Sequence, residues 1–258
     1  VQHFGAAWGL DSGTAALAYN KMGFTDALGL ALFGGLVAVA IAAPFAPLLA
    51  RYRGIFFAML TLALSMVTYG LLMKLDTLGG SDGFNVGRPT LFGRKLPDAH
   101  VGYLLYLVTV GIATVMALVA RIYFGSTRGL VTLAVRENEL RVEYLGGSAR
   151  QAMTINFLLA AFCGGLGGAL AVMALGHVEP NFSFWTTSGE FVFVAILAGW
   201  QSVAAVFLSS VALEVVRSFS SAYFPNTWQL VLGIFLLFVI RFLPGGIGSL
   251  WSRRRGRT

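Results

Sequence analysis

Apolar runs long enough to cross a lipid bilayer recur along this chain, and they leave few folds open to it. A membrane-spanning helix needs about 20 mostly apolar residues, and runs of that order are separated here by short polar breaks. Hydrophobic residues make up 57% of the 258 residues and charged residues only 11%, a balance that does not suit a water-exposed globular surface. Membrane strands would instead alternate over much shorter segments. We therefore expect an all-α integral membrane protein.

The positive charges predict how these runs cross the membrane. Arginines follow the first run, fill the loop after the third and close the chain, so these three places are expected to be cytosolic. The charges lie at the ends of apolar runs and do not form one face, so a nucleic-acid partner is not expected. The result is a polytopic helical bundle. Its predicted runs are residues 24–50, 55–73, 101–124, 153–176, 189–224 and 228–243.

One of these runs, residues 189–224, must begin and end on the same side if the last run is to finish in the cytosol. It is long enough for two short helices. We therefore predict a broken, re-entrant hairpin that turns near Gly199, Trp200, Gln201 and Ser202. Broken helices of this kind are a recurrent device of transporters.

A charged segment, residues 132–146, lies between the third and fourth runs. Taken as one helix, it would place Leu133, Leu140 and Tyr144 near one side. From the residues alone, this segment is either a solvated loop or a docking surface for a soluble partner.

Within the same segment, Glu137 precedes Arg141 by four residues, the order that favours an ion pair on a helix. The chain has no Gly-x-x-x-x-Gly-Lys-Ser/Thr phosphate-binding loop. Any ATP hydrolysis that drives this protein must therefore take place in another polypeptide.

Five short blocks carry a family resemblance, and they occur in the family's order. Together they resemble the LivM-type permease subunits of branched-chain amino acid ABC importers, over residues 51–248. Residues 1–50 align only loosely, and Val1 is not an initiator residue, so one or more N-terminal spans are expected to precede the chain. The blocks are RYRGIFFAMLTLA at 51–63, TLGGSDG at 77–83, AVRENE at 134–139, PNFSF at 180–184 and PGGIG at 244–248.

The resemblance implies a single transmembrane permease domain, residues 1–258, in the bacterial inner membrane, with no catalysis of its own. It implies alternating access for a small solute, such as a branched-chain or hydrophobic amino acid, an amide, urea or a carboxylate. The implied partners are two cytosolic ATPase subunits, which would bring ATP and Mg, a homologous LivH-type permease subunit and a periplasmic solute-binding protein. No cofactor is expected in this chain.

The resemblance also implies that the charged segment is a cytosolic coupling helix held by an ATPase subunit. The residues expected to make this contact are Arg136, Glu137, Asn138, Glu139, Leu140, Tyr144 and Gly146.

Polar and small residues at span depth are the candidates for a substrate path, although Ser and Thr often bond their own helix backbone instead. Glu214 is a candidate because charges inside a membrane are costly; the alternative is a local ion pair with Arg217. The family is usually glycine-rich at the hairpin turn, where this chain has bulkier residues. The candidates are Thr61, Ser65, Gly79, Gly80, Trp200, Gln201 and Glu214.

Three acidic or polar positions are expected to meet the binding protein at the outer face: Ser81, Asp82 and Glu190. The three histidines are dispersed along the chain, so no metal site is expected. A stand-alone secondary transporter or channel for a small polar solute remains the alternative function. A membrane enzyme would need clustered nucleophiles or acid–base pairs at one depth, and the sequence shows none.

Overall fold

The structure is a computed structural model, and it describes residues 27–74, 80–85, 101–178, 180–199, 203–223, 227–242, 246 and 248. Within these ranges the chain is mainly helical, with two short 3₁₀ turns and one pair of two-residue strands, β1 (Phe84–Asn85) and β2 (His177–Val178). The helices are α1 (Ala27–Ala42), α2 (Ala46–Leu49), α3 (Ile55–Lys74), α4 (Val101–Gly125), α5 (Thr127–Glu137), α6 (Glu139–Tyr144), α7 (Ala149–Leu175), α8 (Trp185–Ala198), α9 (Val203–Tyr223) and α10 (Trp228–Phe242).

Four of the described helices, α3, α4, α7 and α9, are long and apolar enough to cross a membrane. Helices α1, α8 and α10 are apolar but shorter, at 16, 14 and 15 residues. Because a helix satisfies its backbone hydrogen bonds internally, it is the form that an apolar run must take in lipid. The predicted all-α polytopic membrane fold is confirmed.

The first predicted run, residues 24–50, is not one helix. Helix α1 ends at Ala42, a turn follows, and the four-residue helix α2 begins at Ala46. Pro44 lies in this turn, and its ring removes the amide that a continuing helix would need. Pro47 is accommodated in the first turn of α2, where a free amide is not needed. Pro44 thus separates the two helices of this run, and Pro47 lies in the first turn of the second helix.

The chain separates into two compact units, Val1–Phe184 and Trp185–Thr258, which are described separately. Whether residues 1–258 act as the single domain expected from the sequence stays a prediction.

The second unit contains the predicted broken hairpin. Helix α8 ends at Ala198, the next residue, Gly199, has a φ of +71° that suits glycine, and α9 begins at Val203. Glu190, near the start of α8, lies 3.0 Å from Arg217, near the end of α9. The two arms therefore pack antiparallel. Residues 200–202, at the predicted turn, lie outside the described residues. Leu197, Leu213, Leu232 and Val239 form a core that joins α8 and α9 to α10.

In the first unit, α1 and α7 approach closely because glycines face each other. A Cβ added to Gly165 would lie 2.6 Å from the carbonyl oxygen of Gly34 and 2.6 Å from the Cβ of Ala38. A Cβ on Gly34 would lie 2.9 Å from the Cβ of Ala169. Small residues allow such backbone contact in membranes, where packing rather than the hydrophobic effect holds helices together.

We predict that Gly165→Ala destabilises the first unit, because its new methyl group would meet the backbone of α1. The expected loss is about 1–3 kcal/mol of unfolding free energy, as for other overpacked cores. The measurement is an unfolding titration of the detergent-solubilised chain with SDS, followed by circular dichroism.

Gly168→Ala is the matched control, since a Cβ at Gly168 of the same helix meets no atom within 4 Å. It should leave stability unchanged or raise it by up to about 1 kcal/mol through helix propensity. Equal losses in the two variants would contradict the packing described here.

Candidate functional site

The predicted coupling segment folds as two short helices that meet at a bend. Helix α5 ends at Glu137, α6 begins at Glu139, and Asn138 between them is extended, with φ −157° and ψ 102°. The Asn138 side chain accepts a hydrogen bond from the amide of Arg141 at 3.0 Å and so caps the start of α6. The expectation of one continuous helix over residues 132–146 was therefore wrong, because Asn138 ends one helix and caps the next.

The bend changes which side chains lie together. Leu133 is on α5 and is half-buried, whereas Leu140 and Tyr144 share one exposed face of α6. Leu133 therefore does not join the predicted apolar face. Glu137 and Arg141 now belong to different helices, so their four-residue spacing no longer places them on one helical face.

The start of α5 is held tightly against the end of α4. Ser126 caps α5, its side chain accepting from the Gly129 amide at 3.4 Å. A Cβ on Gly129 would overlap the Tyr123 carbonyl oxygen and come within 2.5 Å of the Cα of Phe124. The contact therefore requires glycine here. The sequence offered one signal for this helix start, because Ser is among the preferred N-cap residues.

An ion pair joins the bend to the beginning of α3. The Arg53 guanidinium donates through Nε to both carboxylate oxygens of Glu139, at 2.7 and 2.9 Å, and one of its terminal nitrogens lies 2.7 Å from Oε1. The same side chain also donates to the carbonyls of Ala50 and Tyr52. Two blocks of the family pattern, 51–63 and 134–139, thus meet at this pair. The sequence placed Arg53 at a cytosolic end and in a family block but did not indicate its partner, because a pairing across 86 residues leaves no local signal.

The other predicted coupling residues lie on the surface around the bend. Arg136 and Glu137 are exposed in the last turn of α5. Gly146 has φ +84°, a conformation that glycine adopts without strain, and it allows the chain to turn back toward Ser148, the cap of α7.

An open cleft of about 680 Å³ lies beside this element. Its walls come from α5, the end of α4 and the start of α7. Arg128 and Arg150 line it, and no carboxylate belongs to its described lining. Arg150 also donates to the carbonyl of Pro47 at 3.1 Å, which ties α7 to α2.

A second cluster forms where the blocks 77–83 and 180–184 come together. Strands β1 and β2 pair antiparallel, with Phe84 opposite Val178. The Ser65 hydroxyl of α3 donates to the carbonyl of Ser183 at 2.8 Å, and the ring of Tyr69 packs on Phe184 with centroids 5.1 Å apart. These contacts hold the 3₁₀ turn Pro180–Ser183 against α3.

The predicted docking residues of this cluster are exposed. Ser81 and Asp82 lie in the 3₁₀ turn Gly80–Asp82, and the Ser81 hydroxyl is 3.1 Å from a carboxylate oxygen of Asp82. Gly80 contributes backbone to the same turn. Gly79 lies outside the described residues.

The predicted path residues are divided between the two compact units. Thr61 donates to the Ala58 carbonyl of its own helix at 2.9 Å, whereas Ser65 reaches across to Ser183. Trp200 and Gln201 lie outside the described residues. Among the described residues, no cluster of three or more His, Cys, Asp or Glu side chains could hold a metal ion.

The charges of the hairpin pair across its two arms. Arg217 of α9 donates to Glu190 of α8 at 3.0 Å, so Glu190, predicted at the docking face, is engaged within the hairpin itself. Glu214 lies exposed on α9.

We predict an energetic coupling between Arg53 and Glu139. The side chains are 35% and 33% exposed, so solvent screens the pair and the expected coupling is about 1 kcal/mol. The measurement is a double-mutant cycle on unfolding free energy with Arg53→Gln, Glu139→Gln and the double variant. Fully additive losses would show that the pair does not act as a unit.

Three comparisons with known proteins bear on this geometry. Residues 5–240 match the family model described as branched-chain amino acid transport system / permease component. The high-affinity branched-chain amino acid transport system permease protein LivM of Escherichia coli strain K12 is 25% identical over 272 aligned positions, covering 96% of this chain and 63% of the relative. LivM of Salmonella typhimurium strain LT2 is 26% identical with the same coverage. No solved structure matches.

The chain therefore spans 63% of the length of these curated relatives. The resemblance drawn from the five sequence blocks is confirmed, and the family match extends it toward the N-terminus. Because the family model covers most of its length, the chain belongs to the family of branched-chain amino acid transport system permease components.

Proposed function

We propose that this chain is a permease subunit of an ATP-driven ABC importer in the bacterial inner membrane. Two cytosolic ATPase subunits hydrolyse ATP with Mg, and a homologous LivH-type permease forms the second wall of the pathway. A periplasmic binding protein delivers the solute, and the chain itself catalyses no reaction. The solute class is a branched-chain or hydrophobic amino acid, or a related amide, urea or carboxylate.

The observation that carries this proposal is the exposed apolar face of α6. Leu140 and Tyr144 of α6 are 66% and 89% exposed, and Leu145, which follows the helix, is 82% exposed. These apolar side chains lie among charged residues between the candidate spans α4 and α7. A charged helix does not belong in hydrocarbon, and large apolar side chains do not favour water. Both are accommodated if a soluble protein covers this face. An ATPase subunit is the partner that the family offers.

The contacts of the element suggest how movement would reach the spans. The Arg53–Glu139 pair links the bend to the start of α3, while Gly129 seats the start of α5 against the end of α4. An ATPase that displaces α6 would therefore pull on both spans. In this scheme Arg136, Glu137 and Asn138 lie at the bend, and Gly146 lets the chain turn toward α7.

Alternating access then follows from the closure and opening of the ATPase pair. ATP binding closes the ATPases and shifts the coupling element, and hydrolysis with product release resets it. Each nucleotide state biases one arrangement of the spans because the element contacts the ATPase differently in each.

Helix α3 supports a pathway shared with a second subunit. None of its twenty residues is buried in the chain alone, so a full face remains for another permease subunit, for lipid or for solute. Thr61 and Ser65 lie on this helix. The other residues proposed to meet the solute are Gly79, Gly80, Trp200, Gln201 and Glu214.

The proposed docking surface for the binding protein is the cluster around the 3₁₀ turn Gly80–Asp82. Ser81 and Asp82 are exposed there and can accept hydrogen bonds. Glu190, in the second unit, is a further residue proposed to meet the binding protein, and its partner Arg217 would share that contact.

We predict that Tyr144→Ala releases the ATPase subunits from the permease. An aromatic side chain that an interface buries at its centre commonly contributes about 2 kcal/mol or more to binding, so affinity should fall by about 30-fold. The measurement is co-purification of the full-length permease with its cognate ATPase subunits in detergent, followed by titration of the ATPase.

Tyr223→Ala is the matched control, because Tyr223 is also exposed, at the end of α9. It should leave ATPase binding unchanged. If both variants bind the ATPase with wild-type affinity, α6 is not the docking surface.

A further inference from the structure

Asn156 joins three helices around the proposed coupling element. It lies in the second turn of α7 and is half-buried. Its carboxamide nitrogen donates to the hydroxyl of Thr132 on α5 at 3.1 Å. Its carboxamide oxygen accepts from the hydroxyl of Tyr123 on α4 at 3.0 Å. One side chain therefore ties α5 to the two candidate spans that flank it.

The direction of each bond in this chain is fixed by its last member. The backbone carbonyl of Arg128 can only accept, and the Thr132 hydroxyl donates to it at 3.1 Å. The Thr132 oxygen is then free to accept from the amide nitrogen of Asn156. That orientation leaves the amide oxygen to accept from Tyr123.

Only a carboxamide satisfies both neighbours at once. An ionised carboxylate of the same shape would offer no donor to Thr132, and an aliphatic side chain would leave Tyr123 without its acceptor in this arrangement. Removing one partner of a half-buried hydrogen bond costs more than the bond itself contributes, since the remaining group loses its solvation as well.

The position of these bonds distinguishes them from the other attachments of the element. Gly129 holds the start of α5, and Glu139 holds the bend beyond its end. Thr132 lies between them, in the second turn of α5. Without the Asn156 bonds, the middle of α5 could lift from α7 while both ends stayed attached.

We propose that Asn156 is the positioning residue of the coupling element: it holds α5 in register with α4 and α7, so that displacement of α5 and α6 moves these spans. The transport consequence rests on the proposed function. The attachment itself can be tested in the permease alone.

The first test is hydrogen–deuterium exchange on the purified full chain in detergent. Asn156→Leu removes both bonds and keeps the number and branching of the side-chain heavy atoms. Two net hydrogen bonds together correspond to about a tenfold change in an equilibrium, so amide exchange over residues 127–137 should be about tenfold faster. Exchange over 185–198 should not change. Unchanged exchange in α5 would overturn the proposal.

Thr114→Val is the matched control, because the Thr114 hydroxyl of α4 donates to the Val110 carbonyl of its own helix. It should leave exchange in α5 at the wild-type rate. If Asn156→Leu does not fold, Tyr123→Phe removes the bond from Tyr123 to Asn156, and Thr132→Val removes the bond from Asn156 together with the Thr132 bond to the Arg128 carbonyl. Thr132→Val should speed exchange in α5. Wild-type exchange in Thr132→Val would equally overturn the proposal.

The second test separates a positioning role from a merely structural one. In liposomes containing the complete importer, Asn156→Leu should still assemble and hydrolyse ATP, while the solute moved per ATP falls about tenfold. A wild-type transport ratio in this variant would overturn the positioning role. Absence of ATP-driven uptake by the wild-type importer would instead reject the proposed function, and the exchange experiment would still decide whether Asn156 holds α5.

Discussion

Hydrocarbon offers no hydrogen-bond partner to a backbone amide, and the rest of this structure depends on that constraint. It forces each apolar run into a helix and confines breaks to places where protein or water can satisfy the backbone. The longest described helices, α4 and α7, run for 25 and 27 residues. The polar segment between them is built from two short helices, capped by Ser126 and Asn138, and Ser148 caps the start of α7. These three caps define the candidate coupling element.

Packing inside the bilayer then depends on shape, because lipid is as apolar as the side chains. Gly34 and Gly165 let α1 and α7 meet backbone to backbone. Helix α3, by contrast, buries none of its residues. These contacts suit a subunit in which α1 and α7 pack tightly against each other, while α3 keeps a face at which other subunits would bind. The exposed face of α6 fits the same view, since the described residues leave its large apolar side chains uncovered.

The sequence predicted the helices whose presence depends on the length of an apolar run. It did not predict the helix ends and the ion pair that depend on single residues. Span positions followed from apolar runs, and the hairpin broken at Gly199 followed from the parity of crossings. The first apolar run does not form one helix, because Pro44 lies in a turn within it. The segment 132–146, taken as one helix, is instead two helices that meet at Asn138, although an Asn before Glu-Leu-Arg is a recognisable capping signal. The Arg53–Glu139 pair joins residues 86 apart, and no local pattern in one sequence indicates such a contact.

The central claim is that this chain moves solute only with energy from an ATPase partner. The most direct test is uptake of radiolabelled leucine into liposomes that contain the permease pair, with binding protein and leucine outside and the ATPase subunits and ATP inside. We expect uptake with active ATPases, and none when they are omitted or carry an inactivated hydrolytic site. Uptake at the same rate by permease liposomes without any ATPase would contradict the account and point to a stand-alone transporter or channel.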